Sequence, residues 1–295
     1  MKITLLKNIT LLLGFTLVFA SCEDEIDVEL DEGERQLVVD GFINNDSNLQ
    51  TIRLTLSAPY FYNAPTPEVS DAQVKVHGPA GVEYDFSYDQ DGNYVYDPNS
   101  LGALDSIGFN YKLEINFNNN TYTAIQKLQP VPTIDSMIQK FEEGSGFTEE
   151  GYYPEFFARD FAGREDWYWV KAFKNGEPIS EDPTDIILSK DAGFFGAEAD
   201  GFQFIVPIRA AITNSEDPFQ PGDVSTVELL SMNEDAYNFI EQAIFEANNG
   251  GLFSTPPANI KSNIKDAAGN SQNEVLGVFS LSAISKFSLT ISQQQ

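Results

Sequence analysis

The chain has 295 residues, of which 45 are acidic, 17 are basic, one is histidine and one is cysteine, giving a formal net charge of −28. That balance excludes nucleic-acid binding, which needs a basic face to neutralise phosphates, and one cysteine excludes a disulfide within a single chain. A single histidine leaves Ser-His-Asp chemistry without a compelling base and a zinc site without ligands, so no enzyme activity, catalytic residue, metal or cofactor is expected.

The first element is a secretory signal over residues 1–21. Lys2 and Lys7 precede an apolar run from Ile9 to Phe19, which ends in Phe19-Ala20-Ser21-Cys22, the layout of a lipoprotein cleavage box. The run is too short to span a bilayer, and cleavage before Cys22 would leave that residue as the site of lipidation and the only membrane anchor. Removing the signal takes away two lysines and no acids, leaving 274 residues with a formal charge of −30. Residues 22–36 then form an acidic tether, with eight acids among the twelve residues from Glu23 to Glu34. Like charges at that density resist packing, and a flexible segment of this length reaches on the order of 20 Å. The acids nearest the lipid, Glu23, Asp24 and Glu25, resemble the surface-export signal of Bacteroidota lipoproteins. That resemblance implies an outer-membrane protein, lipid-anchored in the bilayer and facing the cell exterior.

Period-two patterns dominate from residue 37 to 130. Ile52, Leu54 and Leu56 alternate with polar neighbours, as do Val74 and Val76, which is the signature of half-buried strands. Tyr84, Phe86 and Tyr88 lead through Asp91-Gly92 to Tyr94 and Tyr96, a hairpin around a positive-φ turn. Leu113, Ile115 and Phe117 run into Asn118-Asn119-Asn120 and return through Tyr122. Short strands with turn signals about every ten residues predict an immunoglobulin- or transthyretin-like β-sandwich. Asp89-Gln90-Asp91-Gly92-Asn93 resembles a fragment of a calcium loop, but it lacks the downstream bidentate glutamate, so a plain hairpin turn is the reading taken.

Gln129-Pro130-Val131-Pro132 marks a boundary, since two prolines remove ladder donors and favour an extended connector. A second β-rich domain is expected over residues 131–295, for a mainly β fold. Its predicted strands are Trp167 to Phe173 with an Asn175-Gly176 turn, Phe202 to Ile212, Val224 to Leu230, Val278 to Ser285 and Phe287 to Ser292. One prominent helix is predicted over 232–247, where Ala236, Tyr237, Ile240, Ala243, Ile244 and Ala247 share a face and Ser231 with Glu234 forms a capping box. Trp167 and Trp169 share one face of their strand, and the core is the favoured place for them. The acids from Glu181 to Asp200 are read as a solvated loop.

The candidate partner-docking surface is the segment from Phe141 to Asp166, where aromatics are interleaved with glycines. Aromatic side chains dominate interface hot spots, and Tyr152, Tyr153, Phe156 and Phe157 are the candidates. If they prove to fill the core, the next place to look is the acidic stretch from Glu177 to Asp200.

Several motifs in order carry a resemblance across nearly the whole mature chain. They are Cys22 with its acidic trailer, Leu37-Val38-Val39-Asp40-Gly41, Pro59-Tyr60, Val69-Ser70-Asp71-Ala72-Gln73-Val74 and Asp91-Gly92-Asn93-Tyr94. Tyr122-Thr123-Ala124, Pro130-Val131-Pro132-Thr133-Ile134-Asp135, Pro221-Gly222-Asp223, the Tyr237 helix, Pro256-Pro257, Asn263-Ile264 and Leu276-Gly277-Val278-Phe279 follow. Together they resemble a Bacteroidota outer-membrane lipoprotein family, the domain of unknown function numbered four-two-four-nine. Val278 stands where that pattern suggests tyrosine. The family is typically encoded beside TonB-dependent transporters and has no known catalytic residues. The resemblance therefore implies an accessory or binding subunit of such a β-barrel, acting in nutrient capture or gating. The alternatives are a structural subunit of an outer-membrane biogenesis or other envelope assembly, or a free-standing glycan-binding module.

Overall fold

The computed structural model describes residues 34–59, 62, 64–146, 148–250, 255–256, 259–270 and 274–293. Cys22, Glu23, Asp24 and Glu25 lie outside them. Residues 35–295 form one compact unit, and no helix among the described residues is long and apolar enough to cross a membrane.

The first half is a run of antiparallel strands: β1 (Leu37–Asn44), β2 (Gln50–Leu56), β3 (Gln73–His77), β4 (Glu83–Tyr88), β5 (Asn93–Tyr96), β6 (Asn110–Phe117) and β7 (Asn120–Lys127), with a short turn of helix, α1 (Pro98–Leu101), after β5. Alternation puts one face of each strand in a common core, with Ile52, Leu54, Val74, Val76, Tyr94, Leu113 and Ile115 all buried there. The predicted turns form through backbone conformations that asparagine, aspartate and glycine tolerate: Asp91 and Gly92 at φ 53 and 80, Asn118 and Asn119 at 50 and 61. Asp89 to Asn93 is accordingly a hairpin turn, closed by Asp89 N–H donating to the Asn93 carbonyl at 2.9 Å. β4 changes partner along its length, pairing with β3 through Phe86 and with β5 from Ser87, so the sheet folds over on itself at this strand.

The second half supplies β8 (Ile134–Glu142), β9 (Gly151–Ala158), β10 (Trp167–Lys174), β11 (Glu177–Pro178), β12 (Ile187–Lys190), α2 (Val206–Arg209), β13 (Val224–Met232), α3 (Glu234–Ala247), β14 (Lys265–Asp266), β15 (Val275–Ser282) and β16 (Ile284–Thr290). β10 is the spine of a five-stranded sheet, paired with β13, β12 and β11, with β16 beyond β13. β8 and β9 form a separate hairpin whose outer strand is tied to the end of β16 by Gln139, which donates to the Ser292 carbonyl at 2.5 Å and accepts from its N–H at 2.9 Å.

The expected boundary at residue 130 falls in an irregular connector, 130–133. Across it the chain returns, however. β15 runs parallel to β1 over eight registered pairs from Leu37↔Val275 to Asn44↔Ser282, and β14 pairs with β7. The first sheet therefore has nine strands in the order β14-β7-β6-β3-β4-β5-β2-β1-β15. A parallel bridge between Gln129 and Ser282 brings its two ends close to closure, a sandwich- or barrel-like arrangement.

Two local expectations are corrected. The segment from Phe202 to Ile212 is a bend followed by α2, not a strand, because Pro207 has no N–H to give a ladder and suits the first turn of a helix. The prominent helix begins at Glu234 rather than 232, since β13 keeps pairing with β10 as far as Met232. Ser231 makes no capping box. Its hydroxyl donates to the Gln129 carbonyl at 2.7 Å and accepts from Ala283 N–H at 2.9 Å, stitching the two halves together.

Candidate docking surface

Strand β9 carries the four aromatics proposed for docking, and its alternation decides their fate. Tyr152 and Phe156 point to one side and are 4 % and 0 % exposed. Phe156 lies in the core of the second sheet, 5.7 Å from the Phe204 ring, and Tyr152 meets Phe141 edge-on at 5.2 Å. These two are core residues rather than docking residues, the correction following from a hairpin that lays one face on a sheet. Tyr153 and Phe157, on the other side, are half-buried. Tyr153 donates to the Glu149 carbonyl at 2.8 Å, and Phe157 is covered by the Arg209 guanidinium at 4.7 Å. Arg209 and Lys140 pair with buried Glu155 between them. Burial alone would raise that carboxyl, but the two cations outweigh it and hold it below its ordinary range.

The aromatic surface lies instead on the connection from β12 to α2. Phe194, Phe195 and Phe202 are exposed there, Phe195 by 90 %, with Val206 beside them in sequence order at 50 %. Three exposed rings on one connection form a candidate interaction site. The fallback stretch from Glu177 to Asp200 contains two of the three. The Gly193-Phe194-Phe195-Gly196 string was the available signal, and it was masked by the acids around it.

The loop is held from below. Asp166 N–H donates to Asp191 Oδ1 at 2.8 Å and Asp191 N–H to the Asp166 carbonyl at 2.7 Å. Ser189 donates to the Asp191 carbonyl at 2.6 Å. Further along, Gly201 N–H donates to Asp160 Oδ2 at 3.0 Å, and Tyr168 donates to Asp160 Oδ1 at 2.6 Å. Gly163 N–H donates to both oxygens of Asp200 at 2.9 and 3.0 Å. Gly201 has φ +71, and a Cβ there would sit 2.6 Å from that of Ala162, so the close passage of this loop over the β9–β10 turn needs glycine. Phe204 anchors the middle, fully buried against Phe156 and Tyr168.

Asp160, Asp166 and Asp191 are thus buried together beneath an exposed aromatic loop. Burial pushes the Asp160 and Asp166 carboxyls up, and the neighbouring aspartates add to the effect. Hydrogen bonds from Tyr168 and Gly201 to Asp160, and the Arg164 guanidinium beside Asp166, pull the other way. Burial also drives the Tyr168 hydroxyl far above its usual range. Nothing in this arrangement presents a nucleophile to solvent. Among the described residues no group of three His, Cys, Asp or Glu side chains is arranged to hold a metal ion. The one histidine, His77, sits on the outer face of β3 between Glu83 and Glu114 at 3.6 and 3.5 Å.

What the geometry offers is a surface with aromatic anchors whose backbone is already fixed, so that little ordering is required on contact. No curated protein matches the chain. A family model described as a domain of unknown function, DUF4249, matches residues 23–288, from Glu23 to within β16. With most of the 295 residues covered, the protein belongs to the DUF4249 family.

Proposed function

We propose that this protein is a cell-surface outer-membrane lipoprotein, anchored through Cys22, that serves as an accessory subunit of a TonB-dependent transporter. The observation that carries the reading is the 191–206 loop, where three exposed phenylalanines stand on a backbone fixed by buried aspartates. A signal ending in Ala20-Ser21-Cys22 and an acidic tether support the placement, since they would hold such a surface a short distance from the bilayer where a β-barrel presents its extracellular loops. The Bacteroidota resemblance and its typical transporter neighbourhood support the choice of partner. On this reading the nine-stranded unit is a scaffold of immunoglobulin or transthyretin type, and the second sheet displays the docking loop.

The test is co-purification after mild detergent extraction. Replacing both Phe194 and Phe195 with serine should weaken recovery of a β-barrel partner by about 2 kcal/mol or more, roughly thirty-fold. The melting temperature should be unchanged, because no core is opened. Undiminished recovery of the barrel with the double variant would refute the docking loop, and wild-type protein that brings down no barrel would refute the partner.

A further inference from the structure

The first sheet leaves part of one edge uncovered, and a cavity lies beside it. Its outermost strands are β14 and β15, and both border a cavity of about 530 Å³, within the roughly 300–1,000 Å³ of ordinary ligand pockets. Ile264 and Val275 reach the cavity from the first core, and Ile260 and Leu276 extend the apolar part of its lining. β15 has β1 along one side. On the other side its second half is covered piecemeal. Asn263 takes the place of a neighbouring strand at Phe279, its side-chain amide donating to the Phe279 carbonyl at 2.7 Å and accepting from the Phe279 N–H at 3.0 Å. Gln129 is registered with Ser282, and Ala283 N–H donates to the Ser231 hydroxyl at 2.9 Å.

The first half of that edge has no such cover. Val275 is in phase with Phe279, and both side chains lie in the first core. By the two-residue period of a strand, the Val275 N–H and C=O therefore face the side that Asn263 covers at Phe279. Among the described residues no strand or bridge is registered with Val275 on that side, and the cavity adjoins it. β14 does not supply the missing partner, because Asp266 closes its own turn. Its carbonyl accepts from Gly269 N–H at 3.0 Å and its Oδ1 from Ala268 N–H at 2.8 Å. The cavity's cations are also without partners. Lys261 and Lys265 line it and are exposed, and their ammonium groups make no hydrogen bond or ion pair with any described residue. The two acids on the lining are engaged, Asp266 in its turn and Glu274 with the Gln36 side-chain amide, which donates to it at 3.4 Å. In a chain with 45 acids and 17 bases, two lysines beside one cavity and free of carboxylates mark a place for acids supplied from outside.

We propose that this cavity receives an extended peptide segment of a partner protein, added as a strand along β15 at Val275. Its apolar residues lie toward Ile260, Ile264 and Leu276, and its acidic residues toward Lys261 and Lys265. Strand addition draws affinity from main-chain hydrogen bonds and selectivity from the side chains that alternate along the added strand. An open edge, an apolar lining and two unpaired cations coincide here, so the matching segment alternates apolar and acidic residues and has no proline where its N–H must pair. This site is separate from the 191–206 loop and does not depend on the reading of that loop.

The test uses the full chain purified in a neutral detergent and a fluorescein-labelled peptide with blocked ends, Glu-Val-Glu-Val-Glu-Val, followed by fluorescence anisotropy. Binding should be saturable. Lys261→Glu and Lys265→Glu, both at exposed positions where the fold is not at risk, should each raise the dissociation constant by about ten-fold. Lys127→Glu, exposed and outside the cavity lining, should leave it unaltered. Hydrogen exchange read by mass spectrometry should slow over residues 275–279 when the peptide is bound. The peptide Glu-Pro-Glu-Pro-Glu-Pro has the same charge but lacks alternate N–H groups, and it should not bind. An absence of saturation with the first peptide, equal binding of the proline peptide, or unchanged exchange over 275–279 in the bound protein would overturn the added strand. Wild-type affinity in both lysine variants would overturn the acidic partner.

Discussion

Gly277 is the position where the fold tolerates a side chain least, and its replacement by alanine tests how the two halves of the chain are joined. It lies in β15 with φ +89, and a Cβ added there would fall 1.9 Å from the Val39 carbonyl oxygen and 2.8 Å from its carbon. Two penalties follow. Holding a non-glycine residue in left-handed backbone costs about 1–2 kcal/mol. The obstructing atoms are backbone, so relief requires β1 and β15 to separate locally, and each ladder hydrogen bond lost there costs about 1 kcal/mol. With two or three bonds disturbed the total is about 3–5 kcal/mol, which for a unit of this size lowers the melting temperature by roughly 10 °C. Gly269 is the control, since it has φ +73 but nothing within 4 Å of where a Cβ would stand, so alanine there should cost only the backbone contribution. Thermal unfolding of residues 35–295, followed by circular dichroism, compares the two. If Gly277→Ala and Gly269→Ala destabilise equally, the β1–β15 approach is not what demands glycine at 277.

Cys22→Ser should release the protein from washed membranes into the soluble fraction, because no described helix can substitute for the lipid; variant protein that stays with the membrane would show another anchor. Beneath the aromatic loop, burial holds the Asp166 carboxyl above the ordinary aspartate value. A folded-state value above the unfolded one means that the group's contribution to stability is fully present below the unfolded value and is lost as pH rises through the folded one. Asp166→Asn should therefore cost more stability at pH 4 than at pH 7, read from urea midpoints at both, and the reverse order would show that Asp166 is stabilised as a carboxylate by Arg164.

Much of the first sheet could be read from the residues, because its strands obey local rules. Ile52 and Leu54, Val74 and Val76, and Leu113 and Ile115 alternate cleanly, and the Asp91-Gly92 and Asn118-Asn119 pairs supply the φ values their turns require, as Asn175-Gly176 does in the second sheet. The two outlying strands escaped for a physical reason. β15 reads as an ordinary apolar strand, and nothing local says that its partner is β1, more than two hundred residues earlier, paired in parallel. Gly277 was the available hint, since a glycine inside a strand often marks close backbone approach. Ser231 was misread for a related cause. A serine three residues before a glutamate at a helix start is the pattern of a cap, and only the tertiary fold shows its hydroxyl already committed to Gln129 and Ala283.

The candidate site was harder to read because composition does not tell inward from outward aromatics. The stretch from Phe141 to Asp166 is rich in rings, yet β9 turns Tyr152 and Phe156 into two different cores. The Phe194-Phe195 pair is less conspicuous and sits among acids, where a solvated loop is the natural reading. Charge and exposure coincide there because of what lies below. Asp160 and Asp191 are buried with their carboxyls accepting backbone N–H groups that an irregular connection cannot satisfy through a sheet, while Asp166 meets Asp191 through its own backbone N–H and carbonyl, and that satisfied backbone is what allows the neighbouring rings to stand in solvent without collapsing onto the core. Two of the acids that disguised the loop in sequence, Asp191 and Asp200, help build it in space, so an acidic, glycine-bearing connection with paired aromatics is better read as a supported display loop than as a spacer.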